Sequence, residues 1–351
     1  MPTETKMFHL PDTMATWPWP RVINPHFEEV KAASDGWFRS LKAFSPKSQK
    51  SFERADLSRF GALAYPHASK EHLRTGCDLI YVGFVVDEYT DIENAEVTRE
   101  MIEIAIDALN NPHKPRPEGE VILGEVVRQF WALAIKTASP TSQRHFVKHF
   151  TDYLHGVLTQ SADRDVGLCR GIEDYLVVRR DNIGAQAAFV CLHLGVDFED
   201  DVYYHPVIVE LSGYVADMVL VDNDMCSYNR EQATGDENHN LITAVMRELN
   251  IDLDSAMAWA ANYHVELQHK FISGLKRVPS WGPTIDKHMQ EYLDGMAYWA
   301  RGNATWCFES ERYFGKKGPE IQKTRMVPLL PKVWVNPELH RDEVVVADIE
   351  L

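Results

Sequence analysis

Apolar side chains recur along this chain at spacings of three and four, the period of an α-helix and not the alternation of a strand. In "NPHFEEVKAASDGWFRSLKAF" they fall at Phe27, Val30, Ala33, Trp37, Leu41 and Phe44, close to one helical stripe. The same period runs through residues 119–138, 142–162, 171–196 and 205–235, and returns over 239–250, 251–278 and 285–315. Several of these segments are apolar on more than one side, as a helix inside a bundle is. Strand signals are few, with no Asn-Gly turn between alternating runs and no glycine-rich strand-to-helix turn. The exception, "EVVVADIEL" at the C-terminus, reads as a tail. Breaks at 111–120, 233–240 and 276–285 are short, and there is no internal repeat. The pattern predicts an all-α fold: one domain of roughly ten or more helices over about residues 15–330, then a tail over about 331–351.

Composition narrows the function classes. Hydrophobic residues make up 45% of the 351 positions, enough for a sizeable core, and the formal net charge is -16. Phosphate surfaces repel such a chain, which argues against a general nucleic-acid or anionic-membrane binder. Any phosphate it binds must be met by a local basic cluster or by metal ions. The five cysteines, Cys77, Cys169, Cys191, Cys226 and Cys307, form no CxxC pair and suggest neither a zinc site nor a disulfide framework. The N-terminal segment lacks the apolar core of a secretory signal, and no stretch approaches a membrane span, so the expected location is the cytoplasm.

Candidate chemistry lies where apolar helices turn polar. "DLIYVGFVVDEYTDIEN" ends an almost wholly apolar run in four acids, with Asp87 and Asp91 one helical turn apart on one face. Hard cations such as magnesium take few oxygens from protein and the rest from water and phosphate. A solvated helix end is the plainer reading, but a buried acidic end needs a partner. "NDMCSYNRE" follows the apolar "VADMVLV" and sets Asn223, Ser227 and Glu231 at i, i+4 and i+8, which drift only about 80° around the helix. One amide, one hydroxyl and one carboxylate make a low-charge oxygen site for a second hydrated cation. Arg179, Arg180, Arg230 and Arg312 could supply an anion clamp, since guanidinium forks match phosphate oxygens. A salt bridge is the simpler reading for any one of them, Arg179 with Glu173 or Asp174 for instance. Phe84, three positions before Asp87, and Trp306 are core aromatics by default; the alternative is a pocket whose ring faces stabilise a cation. The pair His145 and His149 has a zinc-like spacing but lacks the glutamate of a zincin.

Together these residues resemble the class I terpene synthases, specifically the fungal sesquiterpene synthases. The likeness rests on "DEYTD" at 87–91, on Asn223, Ser227 and Glu231, on an arginine before a helix break in "RRDNIG", and on Arg312–Tyr313, in family order. "LPDTMATWPWPRVINPHFEEVKAAS", "NPHKPRPEGE" and "FESERYFGKKGPEI" are similar to the mushroom delta-6-protoilludene synthases. The resemblance implies a helical bundle around a central apolar cavity. It implies three magnesium ions on the diphosphate of farnesyl diphosphate, with Asp87, Asn223, Ser227 and Glu231 as ligands. Asp91 belongs to the metal motif, more as an orienting group than as a ligand. The diphosphate-sensing arginine is placed at Arg180, with Arg179 the alternative, and Arg230, Arg312 and Tyr313 complete the anion site. Gly184 marks the helix break, and Phe84 and Trp306 contour the cavity. The implied product is a sesquiterpene hydrocarbon, delta-6-protoilludene through a humulyl-type cation, made by a monomer or homodimer. A prenyl chain-elongating synthase would normally carry a second aspartate-rich motif where this chain has Asn/Ser/Glu. A non-catalytic helical interaction protein would explain the periodicity alone.

Overall fold

Fifteen α-helices build most of residues 6–332, the part of the chain that the computed structural model describes. They are α1 (Phe27–Leu41), α2 (Pro46–Glu53), α3 (Leu57–Ala64), α4 (Lys70–Thr90), α5 (Ala95–Asn110), α6 (Leu123–Ala134), α7 (Pro140–Asp165) and α8 (Ile172–Asn182). Then follow α9 (Ala185–Val190), α10 (Asp200–Tyr203), α11 (Pro206–Thr234), α12 (Leu241–Leu249), α13 (Leu253–Gly274), α14 (Pro283–Glu309) and α15 (Gly318–Thr324). Local chemistry fixes many of their starts. Ser45, Ser69, Asn94, Ser139, Asn240 and Asp252 each accept a hydrogen bond from a first-turn amide, and proline opens α2, α7, α11 and α14.

The helical expectation holds, with local corrections. Residues 171–196, read as one periodic run, are split into α8 and α9 at Gly184, whose φ of 69° lies in the left-handed region. On α1 the buried face is Phe27, Val30, Ser34 and Phe38, while Ala33 is exposed. Phe38 wins that position by stacking between Phe52 and Tyr81, with centroids 5.1 and 4.9 Å away. Two strands the pattern did not announce, β1 (Met7–His9) and β2 (Met326–Pro328), pair antiparallel and join the two ends of the described chain. Both are three residues long, too short for alternation to register. The "EVVVADIEL" stretch lies outside the described residues.

The long helices α4, α7, α11 and α14 surround a cavity, with α3, α8 and α9 completing its wall. Helix α14 lies almost against α3. A Cβ added at Gly302 would meet the Leu63 carbonyl and the Ala64 amide at 2.7 Å. Backbone cannot swing aside as a side-chain tip can. Gly302→Ala should therefore destabilise the fold by about 1–3 kcal/mol, read as a shift in the urea midpoint at unchanged slope.

Candidate active site

The cavity holds about 590 Å³, within the usual range for a small-molecule site. Its character changes along the helices. On α4 the wall runs Leu79, Ile80, Gly83, Phe84, then Asp87, and ends at Asp91 just past the helix; on α11 it runs Val219, Asn223, Ser227, Glu231. Both stripes step by three or four residues, so each helix presents one face that is apolar at its middle and polar at its C-terminal end. Phe60, Phe150, Ala188 and Trp299 close the apolar floor. The C-terminal ends of α4 and α11 also carry partial negative charge, which favours cations there.

Desolvation is expensive for these carboxyls. Burial, and then the Asp91 charge, pushes Asp87 up to about 7. Burial, and then Asp224, pushes Glu231 up to about 7. Asp91 is raised by burial to about 6, although half of its side chain meets solvent and Arg164 pairs with it at 2.9 Å. Carboxyls held this high are short of positive charge, and a divalent cation would supply it. Asn223 Oδ1, Ser227 Oγ and Glu231 are hard oxygen donors spaced one turn apart, so the donor set fits magnesium. No three His, Cys, Asp or Glu groups gather around one point among the described residues. A cation here would draw its remaining ligands from water and a bound phosphate.

Arginines face these acids. Arg179 donates from Nη2 to Asn223 Oδ1 at 2.7 Å, from Nη1 to Asn182 Oδ1 at 3.0 Å and from Nε to Asp224 Oδ1 at 3.1 Å. Burial works against its charge, but Asp224 holds the guanidinium above its ordinary pKa. Arg312 donates to Glu88 at 2.6 Å and lies 5.1 Å over the Phe84 ring, and its buried Nε has no hydrogen-bond partner. Arg230 reaches Glu88 only at 4.0 Å; burial, and then Arg312, lowers its pKa. Tyr313 accepts at 3.0 Å from Asn223 Nδ2. A cluster with an unpaired donor and an under-compensated arginine has the chemistry to receive an anion.

The profile of the family described as "Terpene synthase family 2, C-terminal metal binding" matches residues 78–270. The chain is 56% identical over 349 residues to Delta(6)-protoilludene synthase 18 of Postia placenta, covering 99% of this chain and 100% of that protein. It is 55% identical over 351 residues to Sesquiterpene synthase 14 of the same fungus, covering both in full. The chain belongs to the terpene synthase family. A solved structure of a cucumene synthase variant shares the fold at a TM-score of 0.73 and 20% identity, covering 84% of this chain and 99% of that one.

Within this terpene synthase, Asp87, Asp91, Asn223, Ser227, Glu231, Arg179, Arg230, Arg312, Tyr313, Phe84 and Gly184 all line the one cavity. Two predicted residues do not. Arg180 turns away, making a two-point bond to Asp217 at 2.7 and 2.8 Å, with 42% of its side chain exposed. Successive helical residues point about 100° apart, so of two adjacent arginines only one could face the cavity, and it is Arg179. Trp306 is fully buried behind the wall, stacked on Phe60 at 4.6 Å and edge-on to Phe84 at 5.5 Å. Trp299, two turns earlier on α14, is the tryptophan that lines the floor. The expected pairing of Arg179 with Glu173 or Asp174 gives way to Asp224. His145 stands outside the cavity, bonded to Asp200 and stacked on Tyr203.

Sequence reading also missed several groups. Tyr153 and Arg164 hold Asp87 and Asp91. Asn240 Nδ2 donates to Glu231 at 2.8 Å and reaches Ser227 Oγ at 3.4 Å, while its Oδ1 caps α12. An asparagine just before the apolar "LITAV" is a legible cap signal, though nothing in the sequence says that its other end supports the triad.

Proposed function

We propose that this terpene synthase ionises and cyclises farnesyl diphosphate to a sesquiterpene hydrocarbon and releases diphosphate. The observation that carries this reading is the cavity in which an apolar aromatic floor meets two acid-bearing helix ends and four arginines, Arg164, Arg179, Arg230 and Arg312. The relatives named sesquiterpene synthases act as lyases on diphosphates, and this chain is of that class. The proposed product is delta-6-protoilludene, formed through a humulyl-type cation. Support for it comes from the full-length relative of that name.

Three magnesium ions, held by Asp87 on one side and by Asn223, Ser227 and Glu231 on the other, would neutralise charge on the departing diphosphate. Arg179, Arg230, Arg312 and Tyr313 bind its oxygens, and the buried Arg312 Nε gains the partner it lacks. Gly184 stands at the break between α8 and α9, five residues beyond Arg179, so the break and the anion contact lie within two turns of each other. The floor excludes water, which would otherwise quench an allylic cation. The chemistry needs no nucleophilic side chain. Ring faces such as Phe84 stabilise the migrating charge.

Incubation of the purified protein with farnesyl diphosphate, with and without magnesium, followed by gas chromatography–mass spectrometry, tests the reading. One dominant metal-dependent tricyclic hydrocarbon is expected. A different sesquiterpene would overturn the protoilludene assignment alone. No hydrocarbon from farnesyl, geranyl or geranylgeranyl diphosphate would overturn the catalytic reading. Phe84→Leu should redistribute the products in the same assay by at least about twofold in the leading ratio, because it removes a ring face worth about 0.5–2 kcal/mol to a nearby cation. An unchanged profile and rate would return Phe84 to ordinary packing.

A further inference from the structure

Helix α7 contributes no group to the predicted site, yet it touches both aspartates of the acidic motif. Tyr153 Oη lies 3.0 Å from Asp87 Oδ1, and Arg164 Nη2 lies 2.9 Å from Asp91 Oδ1. Eleven residues separate the two on α7, close to three full turns, so both project from one face. Arg164 also donates to the carbonyls of Thr90 and Glu93 at 3.1 and 3.4 Å, which ties down the end of α4.

The two partners differ in chemistry. Arg164, itself a lining residue of the cavity, meets Asp91 with a full positive charge at a place where half of the Asp91 side chain reaches solvent. Tyr153 meets Asp87 with a neutral O–H. Its single proton has two acceptors within reach, Asp87 Oδ1 and the Gly83 carbonyl at 3.2 Å, and a charged acceptor makes the stronger bond. A neutral donor fixes a carboxylate's direction without cancelling its charge. That is the partner a metal ligand needs, because metal-binding carboxylates are themselves held by hydrogen bonds. Tyr153 is 4% exposed, and its ring packs against Phe150 at 5.5 Å. On its other side it lies 3.4 Å from where a Cβ would stand on Gly184, so its position is set by the cavity wall and the helix break.

We propose that Tyr153 is a positioning residue for the cation site: its hydroxyl orients Asp87 for a divalent metal, while Arg164 holds Asp91 and keeps it in a supporting role. The proposal rests on the metal-dependent diphosphate reading above, and its test can fail separately from that reading.

The probe is magnesium with inorganic diphosphate, read as the thermal midpoint of the whole protein over a magnesium titration. Tyr153→Phe keeps the ring and removes only the hydroxyl. The half-saturating magnesium should rise about tenfold or more, the usual cost of losing a metal ligand's supporting bond. Phe146→Leu is the control; it loosens the α7 core, where Phe146 stacks on Trp131 and Phe150, without reaching Asp87. Its metal-free midpoint should fall while its half-saturating magnesium stays within twofold of wild type. A Tyr153→Phe value within twofold of wild type overturns the proposal. So does a rise of equal size in Phe146→Leu, which would make the effect one of packing. Wild type that shows no magnesium-dependent stabilisation with diphosphate overturns the underlying functional reading instead.

Discussion

Asp87→Ala is expected to lower turnover of farnesyl diphosphate about 10³-fold or more, the scale of losing a preorganised electrostatic contact to the departing group. The fold should not suffer. Asp87 lies on the cavity face of α4, while Val82, Val85 and Val86, all at 1% exposure or less, anchor the helix away from that face. Its carboxyl is held near 7, far above the usual range, so in the metal-free protein it is a burden at neutral pH. The sign follows from linkage. A carboxyl raised in the folded state binds more protons there than in the unfolded chain, so its stabilising contribution is present in acid and lost as pH rises from about 4 to about 7. Metal-free wild type should lose stability across that window, and Asp87→Ala should lose less. Urea midpoints at several pH values, taken in a chelator, read this directly. Wild-type-like turnover in Asp87→Ala would refute the metal assignment. A lowered metal-free midpoint would turn the activity loss into a folding defect.

The two acidic helix ends were legible because a helix writes its faces into the sequence at a fixed period. Asn223, Ser227 and Glu231 stand out for that reason, and so does the passage from Val219 to Glu231. Contacts between helices leave no such trace. Tyr153 is one aromatic residue in the amphipathic run of α7, and only the packing of α7 on α4 brings it to Asp87. Asn182 and His239, bonded at 2.8 Å, are 57 residues apart. Helices α2, α3 and α5 went unread for another reason: the first two are eight residues each, scarcely two turns of pattern, and α5 begins directly after the acidic cluster that ended the preceding run. Trp306 shows the limit for aromatics. Periodicity places it on the inner side of α14, but whether it reaches the cavity or stops behind Phe60 and Phe84 depends on their bulk in front of it.

The adjacent arginines give the sharpest division between what neighbours in sequence do. Arg179→Gln is expected to reduce kcat/KM about 10²–10³-fold, since it removes a charged donor from the anion site and leaves Asp224 and Asn223 without their shared partner. Arg180→Gln should leave kcat/KM within about threefold, because its guanidinium points away from the cavity. Its effect belongs to stability. Asp217 is 3% exposed and would keep only the Tyr263 hydroxyl at 2.9 Å, so the loss should be about 1–3 kcal/mol in chemical denaturation. The two variants therefore separate along different axes, one kinetic and one thermodynamic, although their backbones are one peptide apart. The same pair discriminates between ways of sensing diphosphate. If Arg180→Gln proved the more damaging to turnover, α8 would have to rotate by about one residue, near 100°, when the substrate binds, exchanging Asp217 for the cavity. If Arg179 dominates, the arginine already bonded to Asn223 and Asn182 is in place before substrate arrives, and a contact at the anion site is carried straight to the residue that ends α8, two positions from Gly184.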